Sequence, residues 1–124
     1  MLTKYLYHFE PKVRGLNVRV NKQCYGCIVA TKIDGEIRYG SAFCNTEDRF
    51  DKRLGVQLAA GRALTSHVGN APTTKVYDLV NVTTADEDGN ETTEKQLVRT
   101  TKEEIFQQAA ARFEQQVRKF YGED

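Results

Sequence analysis

The alternation of apolar and polar residues along the chain predicts a sheet built mainly from antiparallel strands. A hairpin is expected from Cys24 to Cys44, because Asp34-Gly35 tolerates the positive φ angles of a two-residue turn. Pairing Ile33 with Glu36 would then place one apolar set on a single face: Ile28, Ala30, Ile37, Tyr39 and Phe43. Thr31, Glu36 and Arg38 would lie on the other face, so we expect a sheet with one apolar side.

Shorter strands are predicted on both sides of this hairpin, at residues 5–9, 16–20, 75–82 and 96–99. Pro11 to Gly15 would form the turn between the first two. The run from Asp86 to Glu91 is strongly acidic and contains glycine, which is typical of a solvated hairpin tip. Its spacing does not match a calcium-binding loop. In total, the sequence predicts a sheet of five or six strands.

Two helices are predicted, at about residues 46–65 and 102–121. Asn45 would cap the first, and its apolar positions at about 100° per residue are Phe50, Leu54, Leu58, Gly61 and Leu64, so this face should pack on the sheet. The second opens with the capping box Thr101-Lys102-Glu103-Glu104. Its core stripe would be Phe106, Ala110, Phe113, Val117 and Phe120. The predicted fold is therefore α+β, in one domain spanning residues 1–124.

Length and composition exclude several classes of protein. With 124 residues and 40% hydrophobic content, the chain can form one core, and no apolar run approaches the roughly 18 residues that span a bilayer. The first residues lack the apolar segment of a signal peptide. Three cysteines, an odd number, suit a reducing compartment better than a disulfide framework. We therefore expect a cytoplasmic protein without a membrane partner.

The charge is distributed unevenly, although the net charge is only +1. Residues 1–63 contain eleven Lys and Arg against six Asp and Glu, whereas residues 64–124 contain seven against eleven. Such polarity can attract an anion to the basic region or let two copies dock head to tail, or it can simply solvate two surfaces. The near-neutral total argues against a general nucleic-acid binder.

No residue pattern predicts catalysis, a metal site or a cofactor. The Cys24-x-x-Cys27 pair, with Cys44 and with His8 or His67, contains enough side chains for zinc, but no spacing requires it. A redox C-x-x-C motif would precede a helix, whereas this one precedes a strand. Small buried apolar residues are the alternative interpretation of the cysteines. We therefore expect a binding protein, not an enzyme.

The first predicted helix contains the most informative surface. Gly55 and Ala59 form a seam of small residues on the side opposite the leucines, and Lys52, Arg53 and Arg62 add positive charge. A glycine inside a helix costs about 1 kcal/mol relative to alanine, so its presence calls for a reason. The seam predicts either a close interface with a second subunit or a docked ligand, with Arg62 binding a phosphate.

Residues 40–63 also contain the pattern D-x-F-x-[KR]-x-x-G-x-x-x-A-x-G-R-A after a hairpin strand. This segment resembles small phage-encoded proteins, in particular the first type of Thoeris anti-defence proteins. The resemblance implies an oligomeric sponge that sequesters cyclic ADP-ribose signals, or in some members cyclic oligonucleotides. It also implies aromatic and second-helix arginine contacts, for which the candidates here are Tyr39, Phe43, Arg112 and Arg118.

The leading hypothesis is therefore a phage counter-defence protein of the host cytoplasm that binds a cyclic nucleotide, or another phosphate-bearing small molecule, without catalysis. It is expected to be a homo-oligomer. The alternative is a protein-directed inhibitor or adaptor that docks on a host protein through its helix or sheet edge. A nucleic-acid accessory role is a third, less favoured hypothesis.

Overall fold

A computed structural model describes residues 1–44 and 49–123, and within them the chain forms five strands and two helices. The elements, in order, are β1 (Leu2–Arg14), β2 (Asn17–Ile33), β3 (Glu36–Phe43), α1 (Lys52–Ala63), β4 (Lys75–Ala85), β5 (Glu91–Thr101) and α2 (Lys102–Phe120). The strands form a single sheet in the order β3-β2-β1-β4-β5, and all neighbours are antiparallel. The predicted α+β class is confirmed.

The β1–β2 hairpin is longer than its sequence pattern predicts. The ladder continues past Pro11, which pairs with Val20, and ends where Arg14 pairs with Asn17. The turn is therefore at Gly15, whose φ is +58°, and the prediction of a turn across residues 11–15 is wrong. Proline can occupy a strand position where its missing N–H is not needed by the ladder. The two predicted segments at residues 16–20 and from Cys24 onward form one continuous strand, β2.

The register predicted for the β2–β3 hairpin is confirmed, because Ile33 pairs with Glu36 across a turn in which Asp34 and Gly35 both have positive φ. The prediction of only one apolar side is wrong. Cys27, Val29 and Ala42 on the second face are as deeply buried as Ile28 and Ala30 on the first. Both faces of this part of the sheet are therefore covered.

The two helices cover opposite faces of the sheet. Ile28 and Ala30 share a core with residues of α2, including Phe106, Phe113 and Val117. Cys27, Val29 and Ala42 share a second core with Ala59 of α1. Because successive residues of a strand point to opposite faces, the two cores lie on the two sides of β2. The sheet is thus the middle layer of three.

The first helix faces the sheet with the side that the sequence pattern assigned to solvent. Its buried residues are Gly55, Ala59 and Ala63, whereas Leu54, Leu58 and Leu64 are exposed. A side chain at Gly40 of β3 would overlap the backbone of Ala59 and Ala63, so the helix lies directly against the strand. Close backbone approach requires small residues on both partners, which outweighs burial of the leucines.

The structure corrects two further predictions about α1. The predicted exposed seam of Gly55 and Ala59 is internal, because Gly55 packs on Phe50 and Ala59 is fully buried, so neither residue can contact a second subunit. The helix begins at Lys52, with Asp51 as its cap accepting a hydrogen bond from the Leu54 N–H at 3.1 Å. Asn45, the predicted cap, lies outside the described residues.

The sheet is least continuous between β1 and β4, which pair at one position in the described chain, Phe9 with Tyr77. Because these two strands are antiparallel, the β1–β2 turn and the β4–β5 turn lie at opposite ends of the sheet. Helix α2 begins with the predicted cap, in which Thr101 accepts a hydrogen bond from the Glu104 N–H. Neither helix in the described part of the chain is long and apolar enough to cross a membrane.

Candidate anion-binding site

A cavity of about 570 Å³ lies beside the free edge of β2. Its described lining is His8, Val20, Asn21, Lys22, Gln23, Cys24, Tyr25, Cys44, Arg49, Phe50 and Lys102. The β2–β3 ladder ends at Phe43, so residues 17–24 of β2 have no strand neighbour on this side within the described chain. The cavity therefore occupies the place that a longer β3 would fill.

A β-bulge at Tyr25 connects this edge to the start of α2. Leu6 pairs with Gly26 and Tyr7 pairs with Cys24, which leaves Tyr25 as the extra residue of β2. Its ring is fully buried, and its hydroxyl donates a hydrogen bond to the Lys102 carbonyl oxygen at 2.8 Å. Burial raises the pKa of the Tyr25 hydroxyl, so it remains a donor at physiological pH. The bulge thus fixes the first residue of α2 beside the cavity.

Lys102 is the most unusual residue of the lining, because it is only 4% exposed. Its backbone N–H donates to the Thr74 carbonyl, and its ammonium lies 5.4 Å from the centre of the Tyr25 ring. No ion pair involves Lys102 among the described residues. The positive end of the helix dipole disfavours a cation at this position, and an anion in the cavity would offset that cost.

His8 is the second buried polar side chain of the cavity, at 7% exposed. Its Nδ1 atom is buried and has no hydrogen-bond partner in the described chain, and the nearest carboxylate oxygen, Glu10 Oε1, is 3.4 Å away. Burial lowers the pKa of His8, and the nearby charge of Lys102 lowers it further, while Glu10 opposes both. An acceptor or an anion beside the ring would therefore favour the protonated imidazole.

The charged side chains among the described lining residues are all cationic. Lys22, Arg49 and Lys102 contribute three cationic groups, and no lining residue in the described chain has a carboxylate. Phe50 and Tyr25 add aromatic surface to the same cavity. Cationic groups with few competing anions bind phosphates or carboxylates, and an aromatic side chain can stack on a flat ring.

Two of the three cysteines, Cys24 and Cys27, are poor nucleophiles in this environment. Cys24 and Cys44 line the cavity, whereas Cys27 is buried against α1. Burial raises the pKa of Cys24, and it raises the pKa of Cys27 to about 11, so both are protonated thiols near neutral pH. Within residues 1–44 and 49–123, no group of three or more His, Cys, Asp and Glu side chains could hold a metal ion.

The cationic residues predicted on the first helix are not among the described lining residues of this cavity. The Lys52 ammonium is 3.1 Å from the Tyr7 hydroxyl and 4.7 Å from the centre of the Tyr5 ring. One guanidinium nitrogen of Arg62 donates to the Ser41 carbonyl oxygen at 2.8 Å, which fastens α1 to β3. Arg53 is exposed.

The other predicted ligand contacts lie on the α2 face. The Tyr39 ring packs edge-on against Phe113, and Phe43 packs edge-on against Phe106, so both rings belong to the core. Arg118 forms an ion pair with Glu114 at 2.9 Å, and Arg112 lines a second cavity of about 490 Å³ between β1, β4 and α2. Tyr5 and Tyr7, which Lys52 contacts, also line this second cavity, but Arg62 and Arg118 are not among its described lining residues, so the structure does not bring the whole predicted set together.

His8, Lys22, Arg49 and Lys102 were not predicted from the sequence as contacts of an anionic ligand. Lys102 carried one usable signal, because a lysine as the first residue of a helix runs against the dipole, where acidic residues are normally favoured. No local pattern indicates the β-bulge at Tyr25 that brings β2 and α2 together. The cavity depends on contacts between residues 77 positions apart.

The fold and the cavity together define a small α+β protein with a cation-lined cleft at a sheet edge. Comparisons of the chain with models of protein families, with functionally characterised proteins and with solved structures found no match.

Proposed function

We propose that this protein binds a phosphate-bearing small molecule in the cavity beside β2 and holds it without changing it chemically. The observation that carries the proposal is Lys102, which is 4% exposed and forms no ion pair in the described chain, within a described lining that contains Lys22 and Arg49 and no carboxylate. A protein that only stores a ligand needs charge complementarity and shape, and it needs no activated nucleophile. The raised pKa values of Cys24 and Cys27 agree with that requirement.

The dimensions of the cavity favour a nucleotide over a simple ion. Small-molecule sites commonly enclose about 300–1,000 Å³, and the volume here lies within that range. Phosphate oxygens would lie near Lys102, Lys22 and Arg49, and a base would lie against Phe50. A free phosphate ion would leave most of the volume unfilled.

A cyclic ADP-ribose-like signal is the specific ligand we propose, through the resemblance of residues 40–63 to phage anti-defence proteins. That segment contributes Cys44, Arg49 and Phe50 to the cavity. The biological role would then be counter-defence in the host cytoplasm, in which the protein lowers the free concentration of an immune signal. A homo-oligomer is part of the same proposal.

Thermal unfolding in the presence of cyclic ADP-ribose, a cyclic dinucleotide or inorganic phosphate tests the proposal. Ligand at 100 times its dissociation constant should stabilise the folded state by about 2.7 kcal/mol and raise the Tm accordingly. The stabilisation should be lost in Lys102→Met and retained in Lys119→Met, which removes an exposed lysine from the same helix. Lys22→Met, at an exposed position, should weaken binding without changing the interior.

Mass spectrometry of the ligand after heat denaturation separates storage from catalysis. The nucleotide should be recovered with its original mass. Conversion to a product would show an enzyme instead. A Tm that no nucleotide changes in the wild type, with circular dichroism confirming a folded protein, would contradict the proposal.

A second candidate function, a protein-directed inhibitor or adaptor, is favoured by the exposed leucines of α1. Leu54, Leu58 and Leu64 are about half exposed or more and lie along one side of the helix and its C-terminal end, a surface suited to the groove of another protein. Leu54→Gln with Leu58→Gln would then abolish binding to a purified host protein while leaving nucleotide stabilisation intact. The two functions are therefore distinguishable by separate variants.

A further inference from the structure

Two strand hairpins extend from the sheet with opposite charge. We define the basic arm as residues 11–21 at the β1–β2 turn and the acidic arm as residues 83–93 at the β4–β5 turn. The basic arm contains Lys12, Arg14 and Arg19 and no Asp or Glu, whereas the acidic arm contains Asp86, Glu87, Asp88 and Glu91 and no Lys or Arg. None of these seven residues forms an ion pair within the described chain.

The basic arm also exposes apolar side chains in an ordered way. Pro11 pairs with Val20 and Val13 with Val18, so these four residues share one face of the hairpin. Lys12 pairs with Arg19 on the other face. Val13 is 69% exposed, Val18 is 63% exposed and Leu16 in the turn is fully exposed. A contiguous apolar face at the end of a hairpin, rimmed by charge, is typical of a protein-interaction surface.

The acidic arm has a complementary character. Its strands carry threonines at facing positions, Thr83 with Thr93 and Thr84 with Thr92, and all four are exposed. The Thr83 and Thr93 hydroxyls lie 3.0 Å apart and share one hydrogen bond, and their methyl groups are available for apolar contact. Asp86 accepts hydrogen bonds from the Asp88 and Asn90 N–H groups and so fixes the shape of the tip.

We propose that the basic arm of one copy of this protein docks on the acidic arm of a second copy. The charges are complementary, with +3 on one arm and −4 on the other, and the valine face would be covered by the threonine methyl groups. Because the arms lie at opposite ends of the sheet, two antiparallel copies related by a two-fold axis would form the contact twice. The contact would supply the interface of the proposed homo-oligomer, and Val20 and Asn21 of the basic arm also line the ligand cavity.

The partner is a second copy and not a nucleic acid, because the chain itself contains the matching acidic surface and has a net charge of only +1. Two arms of eleven residues form a small contact, so the association should be weak and transient even when it is made twice. Its electrostatic part should be screened as salt shortens the Debye length from about 10 Å at 0.1 M to about 3 Å at 1 M.

Charge reversal tests the proposal with two matched variants of the full chain. One carries Lys12→Glu, Arg14→Glu and Arg19→Glu, and the other carries Glu87→Lys, Asp88→Lys and Glu91→Lys. Sedimentation equilibrium at low salt and high protein concentration should give a mass that rises toward twice that of one chain for the wild type and a single-chain mass for each variant. An equimolar mixture of the two variants should recover the doubled mass, because every arm then meets one of opposite charge.

A control variant with Arg53→Glu, Arg112→Glu and Lys119→Glu changes the net charge by the same amount as the basic-arm reversal, at exposed sites outside the arms. It should associate like the wild type. Three results would overturn the proposal: a single-chain mass for the wild type at low salt and high concentration, association that survives both reversals, or failure of the mixture to recover. Basic-arm reversal that instead abolishes binding to duplex DNA, with no effect on mass, would assign the arm to nucleic acid.

Discussion

Gly40 of β3 decides where the first helix lies. A Cβ atom at this position would overlap the carbonyl oxygen of Ala59 and the amide nitrogen of Ala63. The helix can therefore approach β3 only because three small residues, Gly40, Ala59 and Ala63, meet there. One residue in the strand thus explains why the leucines of α1 point to solvent.

Replacing Gly40 with alanine should destabilise the protein by about 1–3 kcal/mol, because the added methyl group must displace helix backbone rather than a flexible side chain. Gly61→Ala is the matched control, since a Cβ atom there meets nothing within 4 Å. It should stabilise the fold by about 0.5–1 kcal/mol through helix propensity. Urea unfolding measures both, and equal effects of the two substitutions would contradict this account of the contact.

His8 should make the stability depend on pH on the acidic side of neutrality. Its pKa is lowered in the folded state from an ordinary value of 6.5, mainly by burial. The unfolded chain therefore binds more protons, and the free energy of unfolding should fall as the pH drops below 6.5.

Urea unfolding at about pH 7.5 and about pH 5.5 should show a smaller pH dependence in His8→Gln than in the wild type. The exposed His67, replaced by glutamine, controls for the loss of one histidine. If the proposed phosphate-bearing ligand is added, part of the effect should be reversed, because an anion beside the ring would raise the pKa of His8. Identical pH profiles for the wild type and His8→Gln would show that His8 is not responsible.

At the scale of elements, turns, caps and strand register could be predicted from short stretches of sequence, whereas the orientation of α1 could not. The Asp34-Gly35 turn, the Ile33–Glu36 register and the Thr101 cap depend on neighbouring residues, and each was predictable. Helix α1 has apolar residues on one side and small residues on the other, so its sequence favours two orientations. The choice depends on Gly40 in another strand, which a pattern within the helix cannot reveal.

The hydrophobic pattern of α1 suggests that its leucines are essential for stability and its small residues are not. The structure predicts the reverse. Leu54→Gln and Leu58→Gln should each change the free energy of unfolding by no more than about 0.5 kcal/mol, because both positions are exposed. Ala59→Leu should cost about 1–3 kcal/mol by overpacking against β3. Thermal unfolding of the three variants checks this. A large loss of stability in either glutamine variant would show that the leucines belong to the core.

The candidate site was less predictable than the fold, for a related reason. Arg49 and Phe50 lie in the segment that the sequence analysis selected, but their neighbours Lys102 and His8 come from α2 and β1. The bulge at Tyr25 brings these parts together, and a bulge has no clear signature in one sequence. The predicted cations were chosen on one helix, whereas the cavity draws its cations from three parts of the chain.

At the scale of the whole molecule, protection should decrease from the middle of the sheet toward the arms. Residues 27–30 of β2 lie between the two cores, whereas residues 11–21 and 83–93 have little buried apolar contact. Amide hydrogen exchange in roughly 1 M salt, which screens association of the arms, should be slowest at residues 27–30. Comparable protection along both arms under these conditions would contradict this gradient.

In the described chain β1 pairs with β4 at one position, Phe9 with Tyr77, so the sheet consists of a three-stranded unit, β1–β3, and a two-stranded unit, β4–β5, that also share a core with α2. Hydrogen bonds between strands fix the geometry inside each unit, but they hardly constrain the angle between the two units. A larger or smaller side chain at an inward-facing α2 residue such as Phe113 should therefore tilt one unit against the other while preserving the strand register inside each unit. Evolution could resize the cleft between β1 and β4 in this way without rebuilding any strand.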